Sequence, residues 1–547
     1  MDRINDVSRI RKAFSKFNFY PLNETGLCTA LVLTIGLTII FSTFRDYGVP
    51  WDDWIQSLYG KLVANYFSSG FQDKSCNDLA DMKFYGPLFE LIASLAFPSN
   101  ASYPHFETRH LLIALTGLGT VVGVIQFARR FNLRLVPTFS ALALIMMPQF
   151  YGYSFIDSKD IPLACAFTWF FVILCDLLTS SRISWGTVIA SGLVYGMVFS
   201  IRPGSCPLIV MFTVFAFVYV QLTGSSPIPR WREENSPARL ALKCLSVVSL
   251  AWGIMVLFWP WAHEHPIMNP VRAMIEAANF HNTYPVLFDG KIYGSSLLPW
   301  YYLPKIMTVT IPTPILLLAG IGLILGVTTL FRNSEKSLLV VLFLNLAWVI
   351  VPVMMAVIMR PNIYDGMRHF IFVLPGIALL AGYGATLIVA AAKKPLSRAL
   401  CIAVIILALL QSVISIVKLH PYQYCFYNSL VGGLKGAAGK YETDYWVTSY
   451  KEAAEWINRN THSNGPLNVL VAADEGSVVS LTYYLKDTIQ VTEVFGRSFT
   501  GLLPAPYDYY VSTTRYYLNK NFDGAAVVGT FGREGAVFTV IKANVPK

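Results

Sequence analysis

Apolar runs of membrane-spanning length recur along this chain. They lie near 25–44, 110–128, 135–153, 161–179, 185–201, 205–222, 241–261, 310–331, 337–359, 370–392 and 399–417. A helix of about 20 apolar residues crosses the hydrocarbon core of a bilayer, which is about 30 Å thick. In lipid every backbone amide must find its partner within its own segment, so such runs predict helices and not open sheet. Eleven of them predict an α-helical polytopic membrane protein. The two short runs flanking Arg202-Pro203-Gly204 could also form one broken hairpin. Composition agrees: 54% of the 547 residues are hydrophobic and 14% are charged, against about 25% charged in soluble domains.

Basic residues sort the loops. The N-terminal arm 1–24, "RRFNLR", "SSR", "PRWREENSPARLALK", "FRNSEK" and "KKPLSR" alternate with longer loops of mixed charge. By the positive-inside rule the basic set is cytoplasmic. The other set faces outward: 45–109, the "IDSKD" turn, "RPG", 262–309 and "RPNIYDGMRH". An odd number of spans then places the tail outside as well. These cytoplasmic loops account for the net charge of +10, so the expected partner is a lipid bilayer and not a nucleic acid. The first apolar run is too long for a cleaved signal and reads as a retained span.

The tail changes character. Its runs shorten to strand length in "LNVLVAA", "YDYYVST" and "GAVFTVIKA", preceded by a helical "SYKEAAEWINRN". Ser449 is a plausible N-cap there, and Glu452 three residues on would complete a capping box. Strands mixed with helices predict a small α/β domain of about 100 residues. The organisation is therefore a cytoplasmic arm over 1–24, a transmembrane domain over 25–420 and an extracytoplasmic α/β domain over 421–547.

Charge inside the apolar sequence is where chemistry is expected. The stretch "MMPQFYGYSFIDSKDIPLACAF" holds Asp157, Lys159 and Asp160 within four residues. Each would cost about 2.5–3.5 kcal/mol at a bilayer centre, and an outward-facing turn avoids that cost. In the first outer loop, "FRDYGVPWDDWIQSLYGKL" places Asp52 and Asp53 at the start of a helix. There they could serve only as partners of the helix dipole. "MKFYGPLFELIASLAF" in the same loop reads as a short helix lying at the interface. Outer segments carry Lys83, Lys159, Arg202, Lys305, Arg360, Arg368 and His369. Singly such cations snorkel to headgroups; together, opposite paired acids, they suggest a pocket for an anionic lipid headgroup. The aromatic "NTYPVLFDGKIYGSSLLPWYYLPKIMTV" suits either a lid or an interfacial belt.

Several chemistries lack their signatures. There is no G-x-x-x-x-G-K-[ST], no G-x-G-x-x-G beside a strand and no H-E-x-x-H. The eight cysteines show no C-x-x-C spacing; only Cys76 and Cys425 lie where a disulfide could form. The cluster His263 to His265 lacks an obvious third ligand. A reaction here would need a donor that is already activated and reachable from outside.

At this point the chain resembles the GT-C membrane glycosyltransferases. It is most similar to glycosyltransferase family 39 and its relatives, the protein O-mannosyltransferases and aminoarabinose transferases. The resemblance runs in order through "PWDD", "YGPLF", "DSKDIP", "YDGMRHFIFVLPG", "HPYQYCFYN" and "ETDYW". Asp53 departs from it, since the family commonly has Glu at that position. "WWD" is missing, so oligosaccharyltransferases that modify asparagine are a poorer match. The resemblance implies a sugar donor on a polyprenyl or dolichyl phosphate and a hydroxyl-bearing acceptor on protein, lipid or glycan. It implies Asp52 as general base with Asp53 as the second acid. Lys83, Lys159, Arg202, Arg368 and His369 would meet the donor phosphate, supported by Asp157, Asp160 and Asp365. Asp160 would orient Lys159 or touch the acceptor. The chemistry fits: a phosphate leaving group needs cations, and an acceptor hydroxyl needs a base. Two acids near a phosphate could instead hold Mg²⁺ or Mn²⁺, or Lys and Arg could replace the metal. The expected location is a bacterial inner membrane with the site on the periplasmic side. The tail domain is expected to shape acceptor access and to carry no catalytic group. A transporter or flippase of lipid-linked sugars is the alternative, but it should place ionisable groups at mid-span, where Arg202 is the one exception. A scaffold or sensor would not need paired acids beside cations.

Overall fold

In the computed structural model the described residues are 22–96, 106–180, 182–225, 228, 231, 235–279, 283–332, 335–461, 467–472, 475–494 and 507–544. Each apolar run is helical within them. Among the described residues nine helices are long and apolar enough to cross a membrane, from Gly26–Thr43 to Pro395–Leu419. A tenth span is a pair, Val136–Ile145 and Pro148–Ile156, bent by 64°. The break has a local cause. Pro148 has no N–H, and its ring drives Met147 into an extended conformation, ψ 106. Trp185–Ile201, expected as one of eleven spans, is an apolar helix of only 17 residues and falls short of that length, so the count is nine or ten among the described residues. A short 3₁₀ turn, Pro203–Ser205, separates this helix from Cys206–Leu222.

Burial separates the centre of the bundle from its margin. The window Arg368–Ala391 is 89% buried, whereas Gly26–Thr43 is 6% buried. The marginal helix Leu22–Thr43 turns Leu27, Leu31, Ile35 and Phe41 outward, as a lipid-facing surface requires. In the interior, Trp348 stacks on Phe171 with centroids 4.2 Å apart, and its indole N–H donates to Phe372 O at 2.7 Å. Buried aromatics that also satisfy their polar tip fix helix positions sharply.

The loops gather at two ends. At one end the basic loops meet: Trp231 Nε1 donates to Ser180 O at 3.1 Å, and Lys336 Nζ to Gly224 O at 2.6 Å. At the other end lie 45–96 of the first long loop, the 157–159 turn, the 202–205 break, 258–279, 283–312 and 360–372. The first loop builds its own small core from Tyr59, Val63, Tyr66, Cys76, Met82 and Leu91, on the helices Asp53–Ser68 and Leu88–Ala96. The aromatic stretch expected as a lid or belt contains a hairpin, β1 (Pro285–Phe288) and β2 (Lys291–Gly294). Asp289 and Gly290 turn it with φ of 53° and 76°, the left-handed pair that a two-residue hairpin turn demands.

The tail forms a five-stranded mixed sheet in the order β4-β3-β5-β7-β6. Its strands are β3 (Leu467–Ala472), β4 (Ile489–Val494), β5 (Tyr509–Thr513), β6 (Ala526–Arg533) and β7 (Ala536–Ala543). β3 runs parallel to β4 and β5, while β7 pairs antiparallel with β5 and β6. Val469, Val471, Val511 and Ile541 pack against Tyr450, Ala453 and Ile457 of the helix Tyr450–Asn460. That helix starts where expected, but the capping box does not form. Ser449 Oγ donates to the Asp444 carboxylate, and Glu452 pairs with Arg533 at 2.5 Å. The domain is docked on the first loop, with Trp51 N–H donating to Trp446 O at 3.2 Å. Cys76 and Cys425 are both buried and unpaired, so the disulfide that the sequence left open is not formed.

Candidate active site

Asp52 occupies the residue before the helix Asp53–Ser68, yet its side chain caps no backbone N–H. The carboxylate is left for other partners. Lys159 Nζ lies 3.0 Å from Oδ2, and Arg368 Nη1 lies 3.7 Å from the same oxygen. Burial would raise the Asp52 pKa; Lys159 and then Arg368 outweigh it and hold the carboxyl below its ordinary value. Asp52 is thus an ionised acid in a cationic, partly closed setting.

The charged turn supplies the first of those contacts. Asp157 Oδ1 accepts the N–H groups of Lys159 at 3.1 Å and Asp160 at 2.8 Å, an Asx-type turn that starts the helix Asp160–Thr179. Burial, then the nearby Asp160, pushes the Asp157 carboxyl above its usual range. The Lys159 ammonium also sits 5.2 Å from the Tyr85 ring. Asp160 does not orient Lys159, as the sequence suggested. It pairs with Arg202 Nη1 at 2.5 Å. Tyr85 reaches this place because Gly86 follows it: a Cβ on Gly86 would lie 2.1 Å from Ser200 O.

Arg368 is buried between two rings, 4.9 Å from Tyr364 and 4.7 Å from Trp446. Its Nη2 meets Asp365 Oδ2 at 3.3 Å. The other oxygen of Asp365 meets Arg515 Nη2 at 2.5 Å, and Arg515 Nη1 donates to Tyr445 O at 2.8 Å. Arg515 comes from the tail, which was expected to stay outside this cluster. His369 stands edge-on to Tyr364 at 4.9 Å, in the field of Arg368, Arg202 and Lys159.

Two expected members stand apart. Asp53, expected as the second catalytic acid, faces the other side of its helix. It is buried with Arg109 at 3.3 Å and His110 at 3.9 Å, and Arg109 also holds Glu90 at 2.7 Å. Burial raises Asp53 to about 6, although Arg109 opposes it; one guanidinium serves two carboxylates. Lys83 makes no ion pair among the described residues; its ammonium lies 5.6 Å from the Phe84 ring. Glu90, Arg109 and Arg515 were missed. For the first two a signal existed, since each is a charge within an apolar helix, and such charges are rarely idle. Among the described residues no three His, Cys, Asp or Glu side chains gather as metal ligands. Asp52, Asp160 and Asp365 are each paired with Lys or Arg instead, a donor set ill suited to a resident divalent cation.

No protein-family model matches the chain, and no curated protein does. Among solved structures, the fold is similar to that of ArnT from Cupriavidus metallidurans bound to undecaprenyl phosphate. The identity is 13% and the TM-score 0.51, over 96% of this chain and 100% of that one. The oligosaccharyltransferase of Archaeoglobus fulgidus gives 13% and 0.48, over 95% of this chain and 74% of that one. The chain has the GT-C fold: a multi-pass helical membrane body with a C-terminal domain built on a β-sheet.

Proposed function

We propose that the protein is an inverting glycosyltransferase that moves a sugar from a polyprenyl- or dolichyl-phosphate donor to a hydroxyl acceptor on the extracytoplasmic face. One observation carries the reading: the ionised Asp52 carboxylate lies against Lys159 and Arg368, at the end of the bundle where the apolar helices stop. In the proposed step, Asp52 takes the proton of the acceptor hydroxyl. The acceptor oxygen bonds to the anomeric carbon as the carbon–oxygen bond to phosphate breaks. The electron pair leaves on the phosphate oxygen, where Lys159, Arg368 and Arg202 neutralise it. One displacement inverts the anomeric centre. His369 lies close enough to add a donor, Asp160 and Asp365 hold Arg202 and Arg368, and Asp157 fixes the turn that carries Lys159. Asp53, set among Arg109 and Glu90, anchors the helix that carries Asp52.

The likeness in fold to a protein whose structure holds a lipid phosphate supports this reading. So does the position of the charges, because a transporter would need them at mid-span. The outward assignment rests on the basic loops. The test is to incubate purified protein with a panel of polyprenyl-phosphate sugars. Anomer-inverted transfer or hydrolysis of at least one donor is expected. Failure to bind or consume every donor in the panel overturns the reading.

A further inference from the structure

A cavity of about 310 Å³ opens between hairpin β1–β2, the Ala438–Tyr445 segment and the Thr514–Lys520 turn of the tail domain. We propose that this cavity is the acceptor subsite and that the acceptor it takes is a carbohydrate. The proposal rests on the transferase reading and narrows its acceptor from any hydroxyl to a sugar ring.

Three observations carry it. The first is unmet hydrogen bonding. Glu442 and Tyr445 line the cavity and are 9% and 4% exposed. Glu442 Oε1 lies 3.7 Å from Arg515 Nε, whereas Glu442 Oε2 and the Tyr445 hydroxyl are buried there with no hydrogen-bond partner among the described residues. Buried polar atoms rarely stay unmatched, and a ligand bearing several hydroxyls would satisfy both. The neighbouring Asp444 is not available, since Ser449, Thr448 and Tyr424 already occupy it.

The second is the wall. Tyr441, Tyr516 and Tyr517 line the cavity, with Arg515 over the Tyr516 ring and Lys520 over the Tyr517 ring. Rings that are apolar on the face and polar at the tip suit the C–H faces and hydroxyl edges of a pyranose. Tyr516 and Tyr517 do so from consecutive left-handed conformations, φ 56° and 58°, which side-chain-bearing residues seldom adopt. Such conformations persist where surrounding structure over-determines them, ligand clamps among them. The volume lies at the small end of ligand pockets, about 300–1,000 Å³, a fit for one or two sugar rings and not for an extended peptide.

The third is continuity with the candidate base. Arg515 lines the cavity and pairs with Asp365; Asp365 pairs with Arg368; Arg368 touches Asp52. Arg515 is therefore a positioning residue: it joins the floor of the cavity to the cations beside Asp52. Its guanidinium is engaged by Asp365 and, at 3.7 Å, by Glu442.

The experiment uses the full-length protein in detergent. Binding of methyl pyranosides of mannose, glucose and galactose is followed by saturation-transfer NMR. Undecaprenyl phosphate binding is followed separately by tryptophan quenching. At least one glycoside should bind, and Glu442→Gln and Tyr517→Ala should each weaken it about tenfold or more, with undecaprenyl phosphate binding unchanged. Tyr517 is 38% exposed, so its truncation leaves the core untouched and guards against a folding failure. Three results overturn the subsite: no glycoside bound by protein that binds undecaprenyl phosphate, glycoside binding insensitive to both variants, or a serine-bearing peptide bound in the sugar's place. Absence of undecaprenyl phosphate binding in the unmodified protein overturns the transferase reading beneath it.

Discussion

Lys159 Nζ lies 3.0 Å from Asp52 Oδ2 across 107 residues of chain. The candidate base and a candidate phosphate ligand are thus each other's partners before any donor arrives. A lipid phosphate entering the cluster would draw Lys159 and Arg368 towards itself and loosen their hold on the carboxylate. Donor binding would then raise the basicity of Asp52 at the moment an acceptor needs it.

Asp52→Asn should fold and lose transfer by at least the order of 10²-fold expected of a missing base. Undecaprenyl phosphate should bind it as well as or better than wild type, because Lys159 and Arg368 lose their competing anion. Steady-state transfer and lipid-phosphate binding measure the two sides. Near wild-type transfer by folded Asp52→Asn removes Asp52 from the mechanism.

Lys159→Ala, Arg202→Ala and Arg368→Ala should each weaken donor use about tenfold or more, the scale of a charge-assisted contact of about 1.5–3 kcal/mol. Donor KM in detergent-solubilised protein is the readout. Unchanged donor kinetics in all three would place the phosphate elsewhere.

Two acids should leave opposite pH signatures. Asp52 is held below its ordinary value, so kcat/KM should stay level down through the usual carboxylate range and fall only below it. Lys159→Met removes its principal stabiliser and should move that acid limb upward. Asp53 is raised from 3.8 to about 6, so the folded state binds its proton more tightly than the unfolded chain does. Stability should therefore increase as pH falls from above about 6 towards about 4, and Asp53→Asn should lack that increase. Thermal unfolding across this range checks it, and parallel curves for the two proteins would refute it.

Arg515→Ala should cut transfer about tenfold, because Asp365 would then be held by Arg368 alone and would compete with the donor for it. Arg515→Lys should restore part of the loss. A variant with full activity and an unaltered pH profile would reduce Arg515 to a domain tether.

Membrane sidedness has its own test. Asp523 lies at the surface of the tail domain, its side chain 84% exposed. In a background without the exposed Cys244, Asp523→Cys should react with an impermeant reagent added outside the cell. Reaction only from the cytoplasmic face would invert the assignment.

Much of this was legible in the sequence, for reasons that can be named. Spanning length and apolarity depend on local composition, and the helices fall on the runs that carry them. Asp52, Lys159, Arg202 and Arg368 were visible because charge beside apolar sequence is conspicuous. Their pairing was not. Asp160 could reach Lys159 along the chain, but a turn closed by Asp157 points it to Arg202, and only the packing of separate helices decides that. Asp53 follows Asp52 directly, yet one step along a helix turns a side chain by about 100°, which delivers it to Arg109. Hairpin β1–β2 carried a readable Asp-Gly signal at 289–290 that aromatic composition obscured. Arg515 had no local mark: it lies among tyrosines in a domain whose docking no pattern announces.

The Asx-type turn at Asp157 also has a mechanical meaning. A single carboxylate oxygen fixes the backbone of both Lys159 and Asp160, and those residues reach to the first loop and to the 202–205 break. The three segments are thereby tied together through one carboxylate. The 360–369 loop is in turn latched to the tail domain through Arg515 and Asp365. The two groups meet where Arg368 faces Asp52 at 3.7 Å, the longest link in the charged chain from Lys159 to Arg515, and where Trp51 of the first loop holds Trp446 of the tail domain.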